Sequence, residues 1–153
     1  MTHPTEVPIF KTPAHLQCGA GPIVGWYTSP PGVVFQLMET TAMTEPMASW
    51  VAGPAFNSMI ATFPDDRGFL FIIDLRAMTT RGPSVRAIFM KLARESGSLL
   101  AATVIIPPRR SNPLYLGGLQ TASELVTPFG PPLQVTAEWE AVLQRYRITP
   151  VAS

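Results

Sequence analysis

The serine at position 84 has the neighbours that a phosphoryl group requires. Ser84 lies where a helix is predicted to begin, and Arg81 and Arg86 are close to it in the sequence. A phosphoserine in the first turn of a helix is stabilised by free backbone N–H groups and by the helix dipole. A serine also fits a first turn simply as a small polar residue. Ser84 is therefore a candidate phosphorylation and partner-binding residue, with the structural role as the alternative.

A second group of polar residues follows a predicted strand later in the chain. Arg109 and Arg110 come directly after Pro107 and Pro108, and Asn112 opens a predicted helix. Guanidinium groups beside a helix N-terminus can bind a carboxylate or a phosphate. Arg109, Arg110 and Asn112 therefore form a candidate anion-binding site, although such a pair is more often a solvated loop.

The placement of the histidines argues against an enzyme. His3 and His15 both lie in the proline-rich first part of the chain, so the predicted folded body contains none. That removes the commonest general base and the usual partner of a nucleophilic serine or cysteine. His15 and Cys18 supply only two of the ligands that a zinc site needs, and the chain has no glycine-rich phosphate-binding motif. The sequence predicts no catalysis, no metal and no cofactor.

Composition limits the partners that the protein can have. The chain has 153 residues, 46% of them hydrophobic and 14% charged, which fits one domain with an apolar core and few surface charges. We expect apolar surface patches of the kind that contact a partner. A net charge of +1 provides no basic surface for nucleic acid, and no apolar run is long enough to span a membrane. The lack of a signal-peptide pattern and the single cysteine predict a cytoplasmic protein.

Proline divides the chain into an N-terminal arm and a folded body. Of the 17 prolines, six lie within the first 31 residues, too many for a helix or a central strand. Residues 1–32 are therefore predicted to form an extended arm that contributes little to the core, with residues 23–27 as a short edge strand. Residues 33–149 are predicted to form a single α/β domain.

Beyond residue 32 the apolar patterns alternate between strand and helix. Strands are predicted at 33–38, 69–73, 99–106 and 133–135, and helices over about 44–63, 83–96, 112–126 and 136–147. Gly53-Pro54 should kink the first helix, because proline removes a backbone hydrogen bond. This order predicts a mixed, largely parallel sheet of four to five strands covered by about four helices.

The order of these elements resembles that of STAS domains, the SpoIIAA-like fold of anti-sigma-factor antagonists. The segment Phe71-Ile72-Ile73-Asp74-Leu75-Arg76-Ala77-Met78-Thr79 is similar to the family's strand that ends in Asp-Leu before a loop with a threonine. The stretch from Phe129-Gly130 through Leu133-Gln134-Val135 into the Glu-rich helix start at 138–140 is similar to the family's C-terminal ending. Where the family has Asp-Ser-Ser-Gly with a phosphorylated serine, this chain has Gly82-Pro83-Ser84-Val85 and shares only the serine.

The resemblance implies a bacterial, regulatory, non-enzymatic module that binds a partner protein through a helix face and the adjacent loop. The residues to which it points are Ser84, Arg81, Arg86, Thr79 and Thr80. Two alternatives stay open. One is a self-assembling scaffold subunit, a homo-oligomer in which the N-terminal arm reaches a neighbour. The other is a small-molecule or lipid carrier with a cavity lined by the Met- and Phe-rich helix at 45–63.

Overall fold

The structure is a computed structural model that describes residues 6–109 and 133–152. Arg110, Asn112, the helix predicted at 112–126 and Phe129-Gly130 lie outside the described residues. The described strands are β1 (Leu16–Gln17), β2 (Ile23–Ser29), β3 (Gly32–Leu37), β4 (Thr41–Met43), β5 (Phe69–Asp74), β6 (Met78–Arg81), β7 (Leu100–Ile106), β8 (Leu133–Val135) and β9 (Thr149–Pro150). The described helices are α1 (Glu45–Trp50), a π-helical segment (Val51–Ala55), α2 (Phe56–Thr62), α3 (Val85–Ser96), a 3-10 turn (Gly97–Leu99) and α4 (Trp139–Arg145).

Seven of the described strands form one mixed sheet. Its order is β1-β2-β3-β5-β7-β8, with β9 paired to β2. β3, β5, β7 and β8 run parallel to one another, whereas β2 pairs antiparallel with β1, β3 and β9. The predicted α/β class with a mixed, largely parallel sheet is confirmed. The described sheet exceeds the predicted four to five strands because two-residue strands such as β1 and β9 carry no recognisable pattern.

The core lies on both faces of the sheet. All six residues of β5 are buried, because helices or chain segments cover it on both sides, as the continuous apolar run predicts. On one face, Phe35 and Phe71 pack with the apolar residues of α1, α2 and α3. On the other face, Val34 and Ile72 pack with Val142 of α4 and with residues of the N-terminal segment.

The first helix begins where the sequence predicts. Thr44 is its N-cap, and the Thr44 hydroxyl oxygen accepts the Met47 backbone N–H at 3.4 Å. Pro46 lies in the first turn, where its missing N–H costs nothing. The predicted disturbance at Gly53-Pro54 takes the form of a π-helical turn, with Pro54 inside it.

The two later helices begin differently from the prediction. The helix predicted from residue 83 starts at Val85, with Ser84 as the N-cap residue and Pro83 before it. The helix predicted from residue 136 starts at Trp139, with Glu138 as the N-cap residue. The Thr136 hydroxyl oxygen accepts the Glu138 N–H at 3.1 Å, which is a turn contact that competes with capping.

The N-terminal segment joins the sheet that it was expected to flank. β2 pairs with β3 along six registered residues and has β1 and β9 on its other side, so it is an inner strand rather than an edge. Pro22 and Pro30 stand just outside its ends and therefore remove no hydrogen bond from the ladder. Phe10 is 8% exposed and packs edge-on against Trp26, so the segment contributes to the core more than its prolines predict.

The described surface is less apolar than the composition predicts. Val7, at 81%, is the one large hydrophobic residue that is exposed between residues 6 and 109 or 133 and 152. Within the same ranges, the structure contains no helix with the length and hydrophobicity to cross a membrane.

Candidate functional site

A short ladder brings two helix N-termini together. β4 and β6 pair in parallel as a separate two-stranded sheet, and the Gly82 N–H donates to the Met43 carbonyl at 2.9 Å. β4 leads directly into α1, and β6 leads through Gly82 into α3. Because the strands are parallel, the helices that follow them start on the same side. The partner-binding residues predicted from the sequence lie at this point.

Ser84 is the N-cap residue of α3, yet its hydroxyl does not cap that helix. The Ser84 Oγ donates to Oε2 of Glu45 at 2.8 Å. Glu45 is the first residue of α1, where the helix dipole favours a carboxylate. The Glu45 carboxylate therefore lies beside the N-termini of both helices. It supplies there the negative charge that the sequence-based hypothesis assigned to a phosphoryl group on Ser84.

The five predicted partner-binding residues lie on one stretch, from β6 to the first turn of α3. Thr79 and Thr80 are exposed on β6, whereas Arg81, Ser84 and Arg86 are half-buried. Glu45 was not predicted as their neighbour, since it is 39 residues from Ser84. Its only signal was its place at the start of the helix predicted over about 44–63. Recognising the contact would have required the β4–β6 pairing.

The predicted anion-binding residue Arg109 holds an anion of its own chain. Arg109 follows β7, and its guanidinium forms an ion pair with the Glu6 carboxylate, with Nη2 donating to Oε2 at 2.8 Å. The hydrogen bond from Arg109 lowers the pKa of Glu6 from its ordinary value. Burial raises the pKa of Glu6, but by less than this hydrogen bond lowers it, and the charges of Arg109 and Arg76 lower it further.

A second ion pair holds the turn after β5. Asp74 is 2% exposed, and its Oδ1 accepts the backbone N–H of Arg76 at 3.0 Å. The guanidinium of Arg76 bonds both carboxylate oxygens, with Nη2 at 2.7 Å from Oδ2, and lies 4.8 Å from the ring centre of Trp139. Asp74 thus has a structural role in the turn after β5.

An open groove of about 400 Å³ lies between the π-helical segment and α3. Its lining includes Ala52, Gly53, Phe56, Ile88, Lys91 and Leu92. The methionines that a carrier cavity was expected to use, Met47 and Met59, are instead buried against the sheet. Across the described ranges, no three His, Cys, Asp or Glu side chains are grouped as metal ligands.

Comparison with known proteins identifies the fold. No protein-family model matches the sequence, and no curated protein matches it. Among solved structures, the chain is similar to an uncharacterised protein of the DUF3478 family from Shewanella loihica PV-4, which has a SpoIIAA-like fold. The two share 14% sequence identity and superpose with a TM-score of 0.52, over 75% of this chain and 83% of that one. The fold expected from the order of elements is therefore confirmed, and the chain has a SpoIIAA-like, STAS-type fold.

Proposed function

We propose that this protein is a non-enzymatic regulatory module. It binds a partner protein through the Ser84 surface, which comprises Thr79, Thr80, Arg81, Ser84 and Arg86. The observation that carries the proposal is the Ser84–Glu45 hydrogen bond, which places a modifiable hydroxyl between two helix N-termini. The exposed threonines of β6 extend the same surface with hydrogen-bonding groups.

The Ser84–Glu45 hydrogen bond makes the Ser84 surface sensitive to negative charge at position 84. The neutral Ser84 hydroxyl donates a hydrogen bond to the Glu45 carboxylate. A phosphoryl group or an aspartate at position 84 cannot donate that bond and repels the carboxylate. Negative charge at Ser84 therefore breaks the link between the starts of α1 and α3, and it presents a partner with a different surface.

The N-terminal segment favours this module over the scaffold alternative. Phe10 is buried in the chain's own core, and Glu6 pairs with Arg109 of the same chain. β1 pairs with β2 of the same sheet. An arm that is occupied in this way is not available to reach across a neighbouring subunit.

The test is quantitative capture of binding proteins from a native lysate, followed by titration of the purified partner. Ser84→Asp should weaken partner binding by about tenfold or more, because a new charge must be desolvated at the contact. Ser84→Ala should bind within about threefold of the unmodified chain, because it adds no charge.

Ser98→Asp is the matched control. Ser98 is exposed in the turn after α3, so the same change there should leave partner binding unaffected. If Ser84→Asp and Thr80→Asp both bind the partner with unchanged affinity, the Ser84 surface is not the interface.

A further inference from the structure

Residues 6–17, here called the N-terminal strap, are held by several separate anchors. The Glu6 backbone N–H donates to the Met38 carbonyl at 2.7 Å. The Trp26 indole Nε1–H donates to the Thr12 carbonyl at 2.9 Å. The strap ends as β1, which pairs with β2. It thus lies across the sheet through individual hydrogen bonds and one buried ring, rather than as a helix or a long strand.

Gln36 is an anchor that does not depend on pH. It is fully buried in β3, within an otherwise apolar strand. Its Oε1 accepts the Ile9 N–H at 2.8 Å, and its Nε2 donates to the Val7 carbonyl at 2.9 Å. Removal of the strap would leave this amide without both partners, which disfavours release while the other anchors hold.

Glu6 is an anchor that depends on its charge. Its carboxylate pairs with Arg109, which follows β7, and it also lies in the field of Arg76, which follows β5. Asp74 on β5 bonds Arg76 and also interacts with Arg109, so two carboxylates and two guanidinium groups face one another here. Protonation of Glu6 removes one negative charge from this group and leaves Arg109 without its ionic partner.

His15 is an anchor that depends on the absence of a proton. Its Nδ1 accepts the Tyr27 backbone N–H at 3.1 Å, so this nitrogen must carry a lone pair in the docked strap. The ring packs on Tyr27 of β2, the titratable side chain in contact with it, with ring centres 5.2 Å apart. Its Nε2 is buried and, within the described residues, has no hydrogen-bond partner. A second proton would have to lie between Nδ1 and the Tyr27 N–H.

We propose that the N-terminal strap is a proton-sensitive latch, docked while Glu6 is ionised and His15 is neutral, and released when both are protonated. Release uncovers the Gln36 amide and the indole of Trp26 on the sheet face opposite α1, α2 and α3. The two titratable anchors act in the same direction, because each loses its contact on gaining a proton.

The pH dependence at the Glu6 end follows from its ion pair with Arg109. The pKa of Glu6 is lowered by its hydrogen bond to Arg109, so its contribution is complete above the ordinary glutamate range. That contribution is lost as the pH falls through the lowered value. The His15 contact is lost when Nδ1 gains a proton, because the nitrogen can then no longer accept the Tyr27 N–H. Full release requires the loss of both contacts, the one at Tyr27 and the one at the Glu6 end.

The test is residue-resolved amide hydrogen exchange by NMR, corrected for the intrinsic effect of pH. Between about pH 7.5 and about pH 3.5, protection of the Ile9 and Tyr27 amides should fall by about tenfold or more, while Ile72 in β5 keeps its protection. Equal protection of Ile9 and Tyr27 at both pH values would overturn the proposal. A parallel loss at Ile72 would overturn it as well, because it would indicate global unfolding.

Two variants test whether protonation of Glu6 and of His15 causes the loss of protection. Glu6→Gln should lower Ile9 protection already at about pH 7.5 and reduce its further fall on acidification. His15→Asn retains an acceptor near the Nδ1 position but has no ionisable group, so protection of the Tyr27 amide should no longer fall on acidification. Glu39→Gln, an exposed neighbour of the strap site, and His3→Asn, the other histidine of the chain, are the controls and should behave as the unmodified protein. Full pH dependence in both Glu6→Gln and His15→Asn would contradict the latch.

Discussion

The two faces of the sheet are covered in different ways. The face with Phe35 and Phe71 is covered by α1, α2 and α3 through apolar side chains. The opposite face is covered in part by the N-terminal strap, which is held by polar atoms of Gln36, Trp26 and Arg109. Apolar packing distributes its free energy over many weak contacts, whereas the strap depends on a few contacts that one substitution or one proton can remove.

Truncation on the helix-covered face should have the largest effect on stability. Phe71 is 3% exposed, with its ring centre 5.6 Å from that of Phe35 and 6.3 Å from that of Phe56. Phe71→Ala should lower the free energy of unfolding by ~3–5 kcal/mol, because burial is lost and a cavity remains. Chemical denaturation measures this change. Ile72→Val on the same strand is the control, with an expected loss of ~0.5–1.5 kcal/mol. A loss below ~1 kcal/mol for Phe71→Ala would mean that β5 is not central.

Truncation on the strap-covered face should cost less. Phe10 is 8% exposed and packs edge-on against Trp26, 5.6 Å between ring centres. Phe10→Ala should lower the free energy of unfolding by about 1–3 kcal/mol, because the strap can detach without unfolding the sheet. Hydrogen exchange should then show faster exchange at the Ile9 amide and unchanged exchange at Ile72. If the loss equals that of Phe71→Ala, the strap belongs to the cooperative core and the contrast between the faces disappears.

The smallest effect should come from charge at the Ser84 surface. The helix dipole alone would make Ser84→Asp stabilising, but the Glu45 carboxylate already lies 2.8 Å from the Ser84 hydroxyl. We expect Ser84→Asp to lower stability by ~0.5 kcal/mol through like-charge repulsion. Glu45→Gln in the same chain should restore the loss, which a double-mutant cycle measures. A gain in stability from Ser84→Asp alone would show that Glu45 does not control this helix N-terminus.

Features that rest on local sequence were predictable. Thr44 and Pro46 mark a helix start, Gly53-Pro54 marks its disturbance, and the apolar run at 69–73 marks the central strand. Each depends on residues within one turn or one strand of the chain. The element order that these signals define was enough to indicate the SpoIIAA-like fold.

The contacts that define the candidate site were not predictable in this way. β6 contains the polar pair Thr79 and Thr80 and so lacks a strand pattern; it forms because β4 lies beside it. Ser84 meets Glu45, and Glu6 meets Arg109, across 39 and 103 residues. Gln36 is a recognisable polar residue in an apolar strand, which indicates a buried hydrogen-bonding role. Its partners Val7 and Ile9, however, lie in a segment whose prolines predict little contribution to the core.

The π-helical turn also affects which side of the helix the buried side chains face. From α1 to α2, four of the six buried side chains recur at every fourth position: Met47, Val51, Ala55 and Met59. In an α-helix, steps of four would carry this stripe sideways by about 40° each, because one turn takes about 3.6 residues. The wider turn at Val51–Ala55 takes up the excess and returns Met59 to the side of the sheet. The π-helical segment thus shifts the helical register by one residue. Loss of one residue there can be absorbed by passing from a π turn to an α turn, whereas the same loss within α3 would rotate the rest of that helix away from its contacts.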